Sequence, residues 1–397
     1  MKVTTTPATR TTITTHAFSF LVAFIFLVIA ADTTCHAAAA SDYHNHYASS
    51  PFGRSVTKGL AFANSGGFGG STPKSSRNNK KKKRKKKQNP SQMAATTASN
   101  KSFLTTAQGR MQHIQERIKV ADLSPITRLA LITKDNDNVE LDVDPNGIAV
   151  IDNFLGTEVI RAMRSEAEGL KHTMVPSQST KWDEASQTVV PYQKKGVLST
   201  QIEGGTEGYK ASPILVEYIV ALTNHLSQKL NRDLPDAHWL SNQEQTNKLA
   251  VCLGDGSFYD KHIDNLGGGG ARDSVAGDPR KLTALLYLQP PGSHDAVLKS
   301  DYPNEKIDED PRGGFFRAYD VPSQGDVTCI APRGDRLVLF WSDSLVHDVS
   351  PSFADTNGDQ RWALTTWLVL KDKSKGKIRE TDPETERRHF GKGIGTG

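Results

Sequence analysis

The sequence is poor in cysteine and in apolar residues, and both shortages limit what the chain can be. Three cysteines among 397 residues cannot build a disulfide framework. Hydrophobic residues make up 36% of the chain, less than in a usual globular protein, so part of the chain is expected to bury nothing. The sequence also lacks a repeat of solenoid length and the glycine patterns of Rossmann and P-loop sites. Nothing in it therefore favours a repeat protein or those two kinds of nucleotide site.

Long apolar runs are scarce as well, and the longest, residues 17–31, is interrupted only by Ser19. It is shorter than the roughly 20 residues that a membrane-spanning helix needs. Its length suits the core of a secretory signal, and small residues at 37–40 offer a cleavage point. Residues 1–40 are therefore predicted to be a signal peptide or, alternatively, an uncleaved signal anchor. The secretory pathway or ER lumen would be the location, with membrane contact expected only if the segment stays uncleaved.

Residues 41–100 are rich in Ser, Gly, Asn and Lys and are predicted to be a disordered linker. Residues 80–87 are all Lys or Arg, and since the net charge is only +5, the rest of the chain is mildly acidic. This run suits a nuclear-localisation signal, a nucleic-acid patch, a membrane-surface anchor or a plain solvated linker. A nuclear or cytoplasmic location is thus the alternative to secretion, and nucleic-acid binding is expected only through this run.

The remaining chain is predicted to be mainly β with flanking helices. A helical lead-in is expected over 101–140, a folded domain over 141–372 and a loose charged tail over 373–397. Helices are predicted at 157–171 and 213–230 from their apolar spacing.

Apolar and β-branched runs bounded by Gly, Pro or Asp predict strands, at 147–154, 248–253, 281–288, 314–319, 327–331, 336–341 and 361–370. Residues 171–193 contain two prolines and no clear period, and they are predicted to form a long loop. Helices followed by many short strands are typical of a barrel or sandwich buttressed by helices.

A His-x-Asp sequence, His262 to Asp264, and the distant His347 form a candidate metal-binding set. Residues i and i+2 of an extended strand point to one face, so His262 and Asp264 can hold one ion while Ile263 turns into the core. His347 follows the predicted buried strand at 336–341. Two histidines and a carboxylate form the facial triad that holds Fe(II) and leaves positions open for substrate and O2. The His-x-Asp spacing alone is a weak signal in a chain with 12 histidines.

The order of several short blocks makes the hypothesis more specific. Tyr259-x-x-His262-x-Asp264-Asn265 is followed by Leu-Leu-Tyr287-Leu, GGFFR at 313–317, DRLVLFWSD at 335–343, HDVSP at 347–351 and RWALTTW at 361–367. Over residues 145–371 this succession closely resembles the Fe(II)/2-oxoglutarate-dependent prolyl 4-hydroxylases, in particular the Egl-nine type that hydroxylates hypoxia-inducible factor. The resemblance implies a double-stranded β-helix, or jelly-roll, core.

The same resemblance implies a 2-oxoglutarate-dependent dioxygenase that hydroxylates prolyl residues of a protein or peptide. Oxygen sensing is the biological role that this resemblance suggests. Fe(II), 2-oxoglutarate, O2 and L-ascorbate are the implied cofactors and cosubstrates, and a monomer is expected. His262, Asp264 and His347 would be the catalytic metal ligands. Arg361 opens a predicted strand, where its planar guanidinium suits the distal carboxylate of 2-oxoglutarate. The resemblance adds Tyr287 to this carboxylate site, and the two-residue strand period adds Thr365.

Two alternatives stay open: a 2-oxoglutarate oxygenase with another side chain or a small molecule as target, and a non-catalytic binding protein of the same fold. Cys252 stands where the family's relatives carry a tyrosine. Arg280 matches a basic residue near the family's substrate entrance, although a solvated charge is an equally good interpretation. Trp341 and Trp367 are predicted to be core residues. Residues 171–193, together with residues 194–198, are the candidate for a mobile flap over the peptide.

Overall fold

The computed structural model describes residues 103–134, 138–267, 277–290, 312–319, 327–379 and 382–391. All of them belong to one unit, Ser99–Gly397. Its α-helices are α1 (Ala107–Val120), α2 (Ser124–Thr127), α3 (Thr157–Gly169), α4 (Gly205–Ala211), α5 (Pro213–Ala221), α6 (Ser227–Leu230) and α7 (Pro383–Phe390). A π-helical turn, Leu222–Leu226, joins α5 to α6. None of these described helices has the length and apolarity needed to cross a membrane.

Thirteen strands lie in the described ranges. They are β1 (Leu129–Lys134), β2 (Asn138–Val143), β3 (Ile148–Ile151), β4 (Val175–Asp183), β5 (Thr188–Thr200), β6 (Leu240–Cys252), β7 (Asp255–His262), β8 (Arg280–Tyr287), β9 (Phe316–Tyr319), β10 (Val327–Ile330), β11 (Leu337–Trp341), β12 (Val346–Phe353) and β13 (Arg361–Leu370). Short 3-10 helices lie at Phe103–Thr105, Leu170–Thr173, Asp236–His238, Asn357–Asp359 and Lys373–Lys375.

Eight consecutive strands, β6 to β13, are divided equally between two antiparallel sheets. The large sheet has the order β3-β11-β8-β13-β6-β5-β4, and the small sheet has the order β10-β9-β12-β7. The chain therefore passes back and forth between the sheets, as a jelly roll requires. The predicted fold class, mainly β with flanking helices around a jelly-roll core, is confirmed.

The two faces of the large sheet bury different residues, as the period of two requires. One face packs against helices in the main core, where Leu249, Leu286 and Leu364 meet Ile160 and Met163 of α3. The other face turns toward the small sheet, and it carries a second cluster that includes Leu285, Tyr287, Phe340 and Ala363. The space between the sheets, which this second face lines, holds the candidate site.

The lead-in over 101–140 is not helical throughout, which corrects the prediction. Helix α1 begins after Thr106, whose side chain accepts a hydrogen bond from the Gly109 N–H. After α2, however, β1 and β2 form an antiparallel hairpin with Leu131 opposite Leu141. Apolar residues alternate with polar ones in β2, which is the period of a strand rather than of a helix.

The predicted long loop at 171–193 is wrong, because β4 and β5 form a hairpin at the edge of the large sheet. Strand β5 pairs with β6 through its last four residues, from Val197 opposite Cys252 to Thr200 opposite Leu249. Pro176 lies where the β4–β5 register shifts, a position at which a strand tolerates the missing N–H. The two prolines therefore mark an irregular edge hairpin and not the absence of strands.

The predicted loose tail after residue 372 is also wrong in part, because it contains α7. Asp382 caps this helix by accepting a hydrogen bond from the Thr385 N–H, and Pro383 occupies the first turn. Phe390 at its end is buried in one apolar cluster with Trp182 of β4 and Ile263. The C-terminal helix thus packs beside the candidate metal-binding sequence. The predictions for residues 1–40, 41–100 and 80–87 lie outside the described residues.

Candidate metal centre

The three predicted metal ligands come together between the sheets. His262 is the last residue of β7, and His347 in β12 lies directly opposite it in the strand pairing. Asp264 follows two residues after His262, with Ile263 buried as expected. Its Oδ1 lies 3.7 Å from His262 Nε2 and 3.8 Å from His347 Nε2. One ligand atom from each of the three residues lies within 4.8 Å of the others, and no second such group exists in the described part of the chain.

Backbone carbonyls fix which ring nitrogen each histidine presents. His262 Nδ1 lies 2.6 Å from the Asp260 carbonyl oxygen, and His347 Nδ1 lies 3.0 Å from the Leu345 carbonyl oxygen. Each Nδ1 must carry a proton to donate to its carbonyl, so each Nε2 keeps a free lone pair. Both Nε2 atoms face Asp264 Oδ1, so the site presents two neutral nitrogen ligands and one carboxylate oxygen.

The carboxylate of Asp264 is held by its other oxygen. Thr283 Oγ1 donates to Oδ2 at 2.8 Å, and the indole Nε1 of Trp367 donates to the same atom at 3.0 Å. Burial would raise the pKa of Asp264, but the two histidines and these two donors outweigh it and lower the pKa to about 2. Asp264 is therefore ionised at neutral pH, with Oδ1 left for a metal.

The histidines lie in a largely water-free environment. The His347 ring stacks on Phe316 with a centroid distance of 4.9 Å and meets the edge of Phe340 at 4.8 Å. Burial lowers the pKa of His262 well below its ordinary value, and the neighbouring His347 and Lys194 lower it further. A neutral imidazole is the form that binds a metal ion, so this donor set fits Fe(II) without prior deprotonation.

Arg361 begins β13 deeper between the sheets and is 4% exposed. Its Nε donates to the Gly314 carbonyl at 3.1 Å, and its Nη2 donates to the Tyr287 hydroxyl oxygen at 3.4 Å. Cys252, opposite Arg361 in the pairing, places its sulfur 3.8 Å from Nη1. No carboxylate forms an ion pair with this buried guanidinium among the residues that the structure describes. A buried guanidinium of this kind is ready for a carboxylate from a ligand.

Gly314 supports the position of Arg361 and gives a first prediction. Its φ of +73° favours glycine, and an added Cβ would lie 3.1 Å from the Arg361 Cδ. We expect Gly314→Ala to displace the guanidinium and to weaken 2-oxoglutarate binding about tenfold to a hundredfold. Iron binding should be unaffected, because the metal ligands lie elsewhere in the cavity. Isothermal titration of the Mn(II)-loaded protein with 2-oxoglutarate measures the effect.

Gly256→Ala is the matched control for this prediction. Gly256 has a similar φ of +82°, yet a Cβ there would meet only the Phe353 ring, at 3.5 Å. Both variants carry the same kind of backbone strain, but only one contacts Arg361. Equal 2-oxoglutarate affinities in the two variants would show that Gly314 does not position the guanidinium.

The metal ligands and Arg361 line one cavity of about 390 Å³, a size usual for a small-molecule site. Strand β13 contributes four side chains at the two-residue period, namely Arg361, Ala363, Thr365 and Trp367. Thr365 therefore lies on the predicted face. The β4–β5 hairpin, which is the segment predicted to be a flap, adds four cavity residues, namely Gln178, Ser179, Thr180 and Lys194.

Residues 248–369 match the family model described as 2OG-Fe(II) oxygenase superfamily. The matched segment contains all three candidate metal ligands and Arg361. The match agrees with the donor set, because two histidines and a carboxylate hold Fe(II) in non-haem oxygenases.

Several oxygenases resemble the chain more widely. It is 26% identical over 297 residues to a hypoxia-inducible factor prolyl hydroxylase of Caenorhabditis elegans. This alignment covers 71% of this chain and 35% of that protein. It is 27% identical over 243 residues to Egl nine homolog 1 of Rattus norvegicus, in an alignment that covers 60% of each chain. A solved prolyl hydroxylase from Trichoplax adhaerens, in complex with a peptide fragment of the hypoxia inducible factor oxygen degradation domain, aligns with a TM-score of 0.39 at 24% identity. That alignment covers 58% of this chain and 86% of the other. The chain thus spans about a third to three fifths of the length of these two curated oxygenases.

Two predicted roles change in the structure. Trp341 is buried in the main core as predicted, but Trp367 lines the cavity and donates to a metal ligand. Arg280 is not a free solvated charge, because its Nε and Nη2 both donate to the carboxylate of Asp278 and it lies 5.6 Å from the Trp367 ring centroid. The period of two from Arg361 already placed residue 367 on the cavity face, and this signal was available in the sequence.

Trp367 and Thr283 give a second prediction. Because they hold the Asp264 carboxylate, we expect Trp367→Phe to lower the affinity for Fe(II) about tenfold to a hundredfold, with Thr283→Val acting in the same direction. Trp362→Phe is the control, because Trp362 is on the same strand but lies in the helix-covered core, and its Nε1 has no hydrogen-bond partner in the described part of the chain. Anaerobic equilibrium dialysis measures the iron affinity; equal values for the two tryptophan variants would contradict the role of Trp367.

Proposed function

We propose that the protein is an Fe(II)- and 2-oxoglutarate-dependent dioxygenase that hydroxylates prolyl residues in a protein or peptide substrate. The observation that supports this most strongly is the convergence of His262, Asp264 and His347 in one cavity with a buried Arg361. The superfamily match adds the class of chemistry. The prolyl hydroxylases among the relatives suggest the target residue.

In this proposal the chain's own residues bind and orient the reactants. His262 and His347 present Nε2, and Asp264 presents Oδ1, to a ferrous ion. Arg361 binds the distal carboxylate of 2-oxoglutarate, with the Tyr287 hydroxyl beside it and Thr365 on the same cavity face. Iron and 2-oxoglutarate, when bound, supply O2 activation coupled to decarboxylation to succinate and CO2.

The surrounding apolar residues keep water from the reacting centre. Phe316, Phe340 and Leu285 lie on the cavity wall and are almost fully buried, and the first two contact His347. This packing fixes the imidazole in place and lowers the local polarity, which strengthens the interactions with the carboxylates of the ligands. The polar side of the cavity, around the β4–β5 hairpin, is where we place the peptide. Movement of this hairpin as a flap is part of the proposal.

The test is CO2 release from labelled 2-oxoglutarate with Fe(II) and L-ascorbate, measured against proline-containing peptides. We expect peptide-dependent CO2 release, and mass spectrometry should find one added oxygen on proline. Oxygen on another residue would make the protein a 2-oxoglutarate oxygenase of different specificity. Absence of 2-oxoglutarate turnover in the iron-loaded protein would leave only a non-catalytic binding protein.

Further properties belong to this proposal as well. L-Ascorbate would keep the iron ferrous, the enzyme would act as a monomer, and the N-terminal segment would direct it to the secretory pathway. A role in the hypoxia response would require turnover that varies with O2 over the physiological range. Measuring succinate formation against O2 concentration tests the last point, and fractionation of cells that express the full chain tests the location.

A further inference from the structure

Two lysines lie on the cavity wall, and neither is accounted for by the metal or by 2-oxoglutarate. Lys194 is on β5, and it is only 4% exposed. Lys248 is on β6, opposite Thr365 of β13, so its side chain shares the cavity face of the large sheet. The predicted metal and 2-oxoglutarate sites include neither residue, and both side chains line the cavity.

Lys194 is held by contact with an aromatic ring and not by an anion. Its Nζ lies 3.6 Å from the centroid of the Tyr259 ring, a cation–π contact across the two sheets. Within the described ranges it makes no hydrogen bond or ion pair. Burial lowers the pKa of Lys194 well below its ordinary value, and Lys248 lowers it further. An anion in the cavity would stabilise the ammonium form.

Lys248 lies beside Trp367, which supports a candidate metal ligand. Its Nζ is 5.9 Å from the centroid of the Trp367 ring, and Trp367 donates to Asp264. On the same indole lies Arg280, which is already paired with Asp278. Burial lowers the pKa of Lys248 too, and no hydrogen bond or ion pair reaches it from the residues that the structure describes. It is therefore a second amine without a counter-charge.

The charges around the cavity suggest which group the lysines would bind. Arg280 and Asp278 neutralise each other, and a ferrous ion with Arg361 would match Asp264 with the dianion of 2-oxoglutarate if both were bound. The two lysines remain, so the described cavity has two amines whose charged form lacks an anion. Buried ammonium groups without a partner are costly, which is why they bind carboxylates when these become available.

We propose that Lys194 and Lys248 form a subsite for a carboxylate of the substrate, so that the enzyme prefers peptides with an acidic residue close to the target residue. The inference rests on the peptide hydroxylase function proposed above. It extends that function by naming the class of sequence that the site accepts. A carboxylate of 2-oxoglutarate is the other source of the same chemical group, and the experiment separates the two.

The experiment uses a neutral proline-containing peptide and a series in which Glu or Gln occupies each position near the proline in turn. Binding is measured anaerobically by fluorescence anisotropy on the full chain loaded with Mn(II) and 2-oxoglutarate, and hydroxylation is measured separately with Fe(II). At one position or more, we expect the Glu peptide to bind about tenfold to a hundredfold more tightly than its Gln counterpart. The same ratio should appear in kcat/KM.

Substitutions then assign the preference to the lysines. Lys194→Met and Lys248→Met keep the apolar stem, and each should bring the Glu-to-Gln ratio close to one. Lys248→Glu should reverse the preference toward a Lys-containing peptide. Lys195→Met is the matched control, because Lys195 adjoins Lys194 but is exposed. It should retain the ratio of the unmodified protein. Melting temperature and Mn(II) affinity confirm that each variant is folded.

Three results would contradict the proposed carboxylate subsite. The first is a Glu-to-Gln ratio near one at every position in the unmodified protein. The second is a ratio that both Lys→Met variants leave unchanged. The third is weaker 2-oxoglutarate binding in these variants with the peptide preference intact, which would assign the amines to the cosubstrate. Peptide hydroxylation without any Glu preference removes this inference alone, whereas no hydroxylation of any peptide removes the proposed function with it.

Discussion

Asp264→Ala is expected to abolish 2-oxoglutarate turnover and iron binding at the candidate metal centre. Asp264 is the only carboxylate of the three-ligand set, and its loss leaves two neutral imidazoles to hold a dication in a buried cavity. His347→Ala should have the same result, because it removes one of the two nitrogen ligands. Succinate formation and iron content after anaerobic loading are the two measurements.

His172→Ala is the control for the histidine variant, because His172 is exposed and its Nδ1 lies within hydrogen-bonding distance of the Gly169 carbonyl, away from the metal site. It should retain both iron and turnover. If Asp264→Ala or His347→Ala kept the turnover of the unmodified protein, the metal assignment would be wrong. If a variant lost its fold, its melting temperature would fall together with its iron content, and Asp264→Asn would then test the carboxylate charge with less change in shape.

Arg361→Ala should raise the concentration of 2-oxoglutarate required for turnover while iron binding persists. Truncating one partner of a buried charge pair costs about 2–5 kcal/mol, which corresponds to a rise of at least about thirtyfold in the dissociation constant for 2-oxoglutarate. Arg361→Lys should recover part of this loss, because a lysine keeps the charge but cannot form two parallel hydrogen bonds with a carboxylate. Titration of the Mn(II)-loaded variants with 2-oxoglutarate measures the affinity.

The order of the three proteins matters for this prediction: the unmodified protein should bind 2-oxoglutarate most tightly, then the Lys variant and then the Ala variant. Loss of iron from Arg361→Ala would instead mean that the guanidinium supports the fold, through its bond to the Gly314 carbonyl. An affinity for 2-oxoglutarate equal to that of the unmodified protein would place the distal carboxylate elsewhere, and Lys194 would be the first candidate.

The sequence predicted the metal ligands because strand geometry makes their spacing informative. His262 and Asp264 share a face at a spacing of two, and the apolar run before His347 signals a buried strand. The sequence could not show that β7 and β12 are neighbours, since this pairing joins segments about 85 residues apart through the fold of the two sheets. It is this pairing that brings the two imidazoles together.

The residues that support the site were harder to predict. A large aromatic residue in an apolar strand is usually core, which favours that interpretation of Trp367. The two-residue period from Arg361 places it on the cavity face instead, but only the structure shows its hydrogen bond to Asp264. Lys194 directly follows the segment 171–193 that is predicted to be a loop, where a lysine is normally solvated. The hairpin that buries it depends on pairing between β5 and β6, which local propensity does not reveal.

The C-terminal helix α7 was not predicted, for a different reason. Its charged sequence suggested a loose tail, yet Asp382 followed by Pro383 is a recognisable helix start. The burial of Phe390 beside Ile263 decides the outcome, because one apolar anchor is enough to dock a short helix whose other faces are charged. The start signal was present in the sequence, whereas the docking surface was not.

X-ray absorption spectroscopy of the anaerobic Fe(II) protein with 2-oxoglutarate reports the atoms bound to iron and therefore tests the three proposed ligands themselves. We expect two imidazole nitrogens with the remaining ligands all oxygen, and one imidazole should disappear in His347→Ala. A sulfur ligand from Cys252 or Cys329, or a spectrum that His347→Ala leaves unchanged, would show that these residues do not form the iron site.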